Sequence, residues 1–148
     1  MEAKVLAVSK SENKGTVKKP VEIAYLKENH GLKGDSHAGK WHRQLSLLDK
    51  SSIDKMRNKG FELKYGDFAE NITTEGLSNL YELPVGTRFK INENIIIELT
   101  QVGKKCHHDC EILEAIGDCV MPKEGIFARV ISGGPIKAGD KIKILENN

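Results

Sequence analysis

Apolar residues fall in short alternating or bunched runs separated by Gly, Asn, Asp and Pro, the pattern of strands rather than of long helices. It predicts strands at 4–9, 16–26, 44–48, 87–91, 95–102, 126–131 and 140–145. The run Ile95, Ile96, Ile97 and Leu99 follows the turn residues Asn92, Glu93 and Asn94, so 87–91 and 95–102 are expected to form a hairpin. Helical spacing occurs twice. At 50–58, Ser51 or Ser52 can cap while Ile53 and Met56 share a face; at 111–116, Gly117 can end the helix. The stretches Val85–Ile91 and Ala138–Ile144 each place Gly at a turn before an alternating strand, which turn chemistry explains without a duplication. With no βαβ rhythm, the expected fold is mainly β, a barrel or sandwich with a few short helices.

Composition narrows this picture. The 148 residues carry no linker or low-complexity stretch, so residues 1–148 are read as a single domain. Its 23 Lys and Arg against 21 Asp and Glu leave a net charge of +2, evenly interspersed, which disfavours nucleic acid as a partner. Apolar runs are too short for a signal peptide or a membrane span, and the Cys count of three is odd. A cytoplasmic location with no membrane partner is therefore expected.

Four segments could carry chemistry. Gly31–Gln44 gathers glycines, His37, His42, Lys40, Arg43 and the only Trp into a polar loop able to face an anion, without a Walker or G-x-G-x-x-G pattern. The spacing of His37 and His42 fits no helical metal pair, and an ordinary structured loop explains the same residue types. In Gly66–Gly76, Asn71 precedes Ile72; if Ile72 points into the core, Asn71 points outward or into a cavity, able to donate and accept. A turn or Asx cap is the competing reading. Thr100–Cys110 follows the strongest strand, and Cys106 stands among Lys104, Lys105, His107 and His108, cations that favour the reactive thiolate. Cys106, His107, His108 and Cys110 could instead hold zinc, although C-x₃-C is not the usual knuckle spacing. In Pro122–Gly134, Arg129 interrupts an apolar run and faces either solvent, which alternation favours, or a buried anion.

Taken in order, these segments resemble the MOSC domain, named after the C-terminal part of molybdenum cofactor sulfurases, and most closely its small stand-alone bacterial members. The resemblance is carried by Gly34-Asp-Ser-His-Ala-Gly39 with His42-Arg-Gln44, Gly66-Asp-Phe-Ala-Glu-Asn-Ile-Thr-Thr-Glu-Gly-Leu77, Leu83-Pro-Val-Gly-Thr87, Thr100-Gln-Val-Gly-Lys-Lys-Cys106, and Gly125-Ile-Phe-Ala-Arg-Val130 with Gly139-Asp140. It covers nearly the whole chain. It implies a MOSC-type β-barrel in which Cys106 is the working thiol, accepting persulfide sulfur or ligating molybdenum. Asn71 and the His42-Arg-Gln44 stretch would line a pocket for an anionic pterin or sulfur-bearing ligand.

The implied function is a sulfur carrier or molybdenum-cofactor-binding domain in cofactor or metal-sulfur cluster assembly. Cys106 would be the acceptor or metal ligand, and Lys40, His42, Arg43, Asn71 and Arg129 would shape the cofactor pocket. The implied cofactor is molybdopterin. Pyridoxal phosphate is expected only on a partner cysteine desulfurase serving as sulfur donor, with molybdenum enzymes or cluster-assembly proteins as receivers. The chain lacks room for a desulfurase half or for the extra domain of reductase relatives, so a partner-dependent, sulfurtransferase-like carrier is expected rather than an independent reductase. A non-catalytic metal-binding or protein-interaction module is the alternative.

Overall fold

A computed structural model describes residues 3–13, 17–103 and 124–145. Its strands are β1 (Lys4–Lys10), β2 (Lys19–Val21), β3 (Ala24–Lys27), β4 (Gly31–Leu32), β5 (Leu45–Asp49), β6 (Ile72–Glu75), β7 (Arg88–Ile91), β8 (Ile95–Val102), β9 (Ile126–Ser132), β10 (Gly134–Ile136) and β11 (Ile142–Leu145). One helix, α1 (Lys50–Arg57), follows β5 directly. The predicted helix at 111–116 lies outside the described residues.

The large sheet runs β11-β7-β8-β9-β5-β6-β1-β2. All its pairings are antiparallel except β5 with β6. It closes on itself. Val5 N donates to Asp140 O at 2.8 Å, Gly139 N to Val5 O at 2.7 Å and Ile142 N to Ala3 O at 3.1 Å, joining β1 to β11 and making a barrel of seven strands. The rest of that edge of β1 pairs with β2, and β10-β3-β4 form a separate small sheet. The predicted strand at 16–26 is therefore two strands in two sheets, because the chain leaves β1 after Val21 and joins β10 from Ala24.

Apolar residues of β1, β5, β7, β8 and β9 fill the barrel, among them Val5, Val8, Leu45, Leu47, Phe89, Ile97, Leu99 and Val130. A second cluster lies between α1 and the outer face of β5 and β9, with Leu48, Ile53, Met56, Phe68 and Phe127. Strand β5 is thus buried on both faces, and all five of its residues are buried. The α1 cap is Asp49 rather than Ser51 or Ser52: its carboxylate accepts from Ser51 N at 3.2 Å and Ser51 Oγ at 2.8 Å. The predicted apolar stripe of Ile53 and Met56 faces the second cluster.

Candidate functional site

The polar loop between β4 and β5 is stitched to the end of β8. Thr100 Oγ1 donates to the carbonyl of His42, and His42 Nε2 lies 2.9 Å from Gln101 Oε1. Gln101 Nε2 in turn donates to Gly103 O at 2.6 Å, and Gly103 N donates to Gly125 O at 2.8 Å. Gln44 is buried and ties the base of the loop to β9, accepting from Val130 N at 2.9 Å and donating to Asn29 Oδ1 at 3.1 Å.

This stitching opens a cleft of about 490 Å³ in which Lys40, Trp41 and His42 face Glu98, Thr100 and Arg129. The volume falls in the usual range for small-molecule sites. A larger depression of about 780 Å³ runs along β7 and β11, but none of Lys40, His42, Arg43, Asn71 and Arg129 lines it. Lys40 and His42 thus meet Arg129, far from them in sequence, at one place.

Arg129 is on the exposed face of β9, as alternation suggests, and has an acidic neighbour. Its Nη2 and Nε lie 2.7 and 2.9 Å from Glu98 Oε2, while Arg88 Nε donates to Glu98 Oε1 at 3.2 Å. Partial burial works to raise the Glu98 carboxyl, and hydrogen bonds from Arg129 and Arg88 more than reverse it, holding it below its ordinary value. The cleft therefore carries an ionised acceptor beside its cations.

Arg43 does not line this cleft. Its guanidinium lies 5.0 Å from the Trp41 ring centroid and 5.7 Å from that of Phe127, and its buried Nε has no hydrogen-bond partner. The expectation that Asn71 points outward or into a cavity is corrected: both Asn71 and Ile72 are fully buried. Asn71 Oδ1 accepts from Ser46 N at 3.0 Å and Ser46 Oγ at 3.2 Å, and Nδ2 donates to Ser9 O at 3.1 Å. The amide fastens β5 and β1 together because the outer side of this wall is itself covered by the segment around Gly66 and Phe68.

His37 and His42 do not converge. His42 is on the cleft, whereas His37 Nδ1 is 3.1 Å from the buried ammonium of Lys18, itself 2.7 Å from Asp35 Oδ1. Sequence reasoning missed Lys18, since a Lys-Lys-Pro run gives no sign of burial. It also missed Glu98, which reads as one polar position of an alternating strand. Cys106 and the zinc reading on Cys106, His107, His108 and Cys110 lie outside the described residues. Among the described residues no cluster of three or more His, Cys, Asp or Glu could hold a metal ion, and no helix is long and apolar enough to cross a membrane.

Comparison with solved structures finds the same fold in the YuaD protein of Bacillus subtilis, with a TM-score of 0.82 at 18% identity over 100% of this chain and 98% of that one. YiiM from Geobacillus stearothermophilus has a TM-score of 0.72 at 16% identity, covering 97% and 75%. YiiM from Escherichia coli has a TM-score of 0.66 at 20% identity, covering 100% and 71%. A comparison with curated proteins finds no match. The sequence profile of the MOSC domain matches residues 34–143, which is most of the chain and spans the loop, the cleft and the Cys106 segment. The chain belongs to the MOSC domain family.

Proposed function

We propose that this protein binds the molybdenum cofactor, or carries sulfur destined for it, with Cys106 as the working thiol and the Lys40–His42–Arg129 cleft as the ligand site. The observation that carries the reading is the convergence of those three side chains on a cleft stitched, through His42, Gln101 and Gly103, to the strand that leads to Cys106. Cys106 follows Gly103 by three residues, at most about 11 Å of extended chain. Membership of a family associated with the molybdenum cofactor supports the ligand class.

The described residues fit such a ligand. A phosphate-bearing pterin presents an anion at one end and ring N–H donors at the other. Lys40 and His42 suit the first and the Glu98 carboxylate the second. When bound, the cofactor would supply a soft metal centre that accepts a thiolate ligand, the role open to Cys106. In the carrier version, the Cys106 thiolate attacks the outer sulfur of a persulfide on a partner cysteine desulfurase. The new S–S bond forms as the donor's S–S bond breaks, its thiolate leaves, and no net oxidation occurs.

Intact mass after incubation with a cysteine desulfurase and cysteine, together with titration of isolated molybdenum cofactor, tests both versions. A sulfur adduct or saturable cofactor binding in the wild type that is absent in Cys106→Ser is expected. Neither adduct nor binding in the wild type, or both unchanged in Cys106→Ser, overturns the proposal.

A further inference from the structure

Lys18 is the most unusual side chain of the described residues. Its ammonium is wholly buried, 2.7 Å from Asp35 Oδ1, 3.2 Å from Ser11 Oγ and 3.1 Å from His37 Nδ1. The backbone is held as firmly. Lys18 N donates to Gly66 O at 2.8 Å, and Gly66, at φ +96°, comes so close that a Cβ there would sit 2.2 Å from Lys18 O. Burying an ion pair often gains no stability over well-packed apolar residues, so its worth is sought in the geometry it imposes.

That geometry leads to the cleft. An ammonium has no lone pair, so its contact with Nδ1 forms only when Nδ1 accepts and the ring proton sits on Nε2. Asp35 Oδ2 accepts from the His37 backbone N at 3.1 Å, and the His37 carbonyl accepts from the indole N–H of Trp41 at 2.7 Å. Trp41 then meets His42 edge-on, with centroids 5.8 Å apart, and carries the Arg43 guanidinium on its face. An unbroken chain of contacts thus runs from a buried lysine to the aromatic wall of the cleft.

We propose that Lys18 and Asp35 are positioning residues for this cleft: the buried pair fixes the His37 ring in its Nε2–H tautomer and, through the His37 backbone, sets the Trp41 indole against the ligand. The consequence for binding rests on the ligand-site reading above, whereas the tautomer and the indole placement do not.

Nuclear magnetic resonance of ¹⁵N-labelled protein tests it. The long-range ring spectrum of His37 gives the tautomer in the wild type, and the single Trp gives one indole N–H signal. The comparison is the double variant Lys18→Met/Asp35→Asn, which leaves no lone buried charge. An unprotonated Nδ1 is expected in the wild type. The folded double variant is expected to lose the single tautomer, shift the indole signal and bind isolated molybdenum cofactor about tenfold more weakly by Trp41 fluorescence, the scale usual for groups that orient site residues. A protonated Nδ1 in the wild type, or a folded variant with both signals unchanged, overturns the proposal. If the double variant does not fold, the wild-type tautomer decides; if the wild type binds no cofactor, the proposed function fails while the two signals still judge the positioning role.

Discussion

Asp35 and Glu70 are both buried carboxylates, yet their surroundings drive them in opposite directions. Burial works to raise the Asp35 carboxyl, but the Lys18 ammonium, with hydrogen bonds from Lys18 and Ser11 N, more than reverses this and holds it below its ordinary value. Glu70 accepts from Phe68 N at 3.2 Å and Thr73 Oγ1 at 2.8 Å, and no cation pairs with it among the described contacts. Burial therefore dominates and raises it. The signs of the stability effects follow by linkage. Asp35 contributes stability above its unfolded value of 3.8, and that contribution is lost as pH falls through its lowered folded value. Glu70 binds its proton more tightly when folded, so stability falls as pH rises from 4.5 through its raised folded value. Glu70→Gln is expected to abolish that decline and to leave the neutral-pH fold at least as stable, since an amide oxygen can still serve Phe68 N and Thr73 Oγ1 can accept as well as donate. Urea midpoints from pH 4 to pH 8 check this; a decline equally steep in the variant would exclude Glu70 as its source.

Among the elements, those whose residues answer to one surface were readable and those that answer to two were not. Strands β7 and β8 alternate against a single filled interior, and their predicted bounds agree with the structure to within a residue. Strand β6 went unread because Thr73 and Thr74 are polar yet buried, their hydroxyls donating to Glu70 just before the strand and to Asp49 on β5. The same contact moves the helix cap. The strand predicted at 44–48 stops short of Asp49, the last residue of β5, whose Oδ1 accepts from Thr74 Oγ1 at 2.6 Å and Leu77 N at 3.0 Å while Oδ2 caps α1. In the site, Lys40, His42 and Arg129 of the cleft were legible from residue type and family resemblance. The burial of Lys18 and the inward turn of Asn71 were not, because both depend on segments that pack over the barrel from elsewhere in the chain. Asp49→Ala should cost about 3 kcal/mol, a lost cap plus buried donors left unpaired. Ser51→Ala, which removes one hydroxyl donor to Asp49, should cost about 1 kcal/mol or less. Chemical denaturation of the two variants ranks them, and a larger loss for Ser51→Ala would return the cap to the serine.

At the scale of the whole molecule, function depends on a wall that the barrel holds rigid. The cleft is built on β8 and β9, where Glu98 stands directly opposite Arg129, and on the loop entering β5, so its shape is fixed only if neighbouring strands keep their register. Closure supplies that constraint by leaving few open edges in the seven-strand ring. Among the described residues the seam is narrow, three backbone bonds joining Ala3 and Val5 to Gly139, Asp140 and Ile142, with Ile142 buried beneath them. Two behaviours can be told apart. If the seam is part of the cooperative unit, the Val5 and Ile142 amides become exchangeable only when the entire barrel unfolds. If it is a fraying junction, they exchange by local opening while Leu99 on β8 and Val130 on β9, whose amides donate to Thr87 O and Gln44 Oε1, stay protected. The filled interior favours the first, because freeing β11 would expose Ile142 and Ile91 to water. Native-state hydrogen exchange should therefore give protection factors for Val5 and Ile142 within about an order of magnitude of those for Leu99 and Val130. Ile142→Ala should lower all four together; loss of protection at the seam alone would show that the cleft-bearing strands are stable without closure.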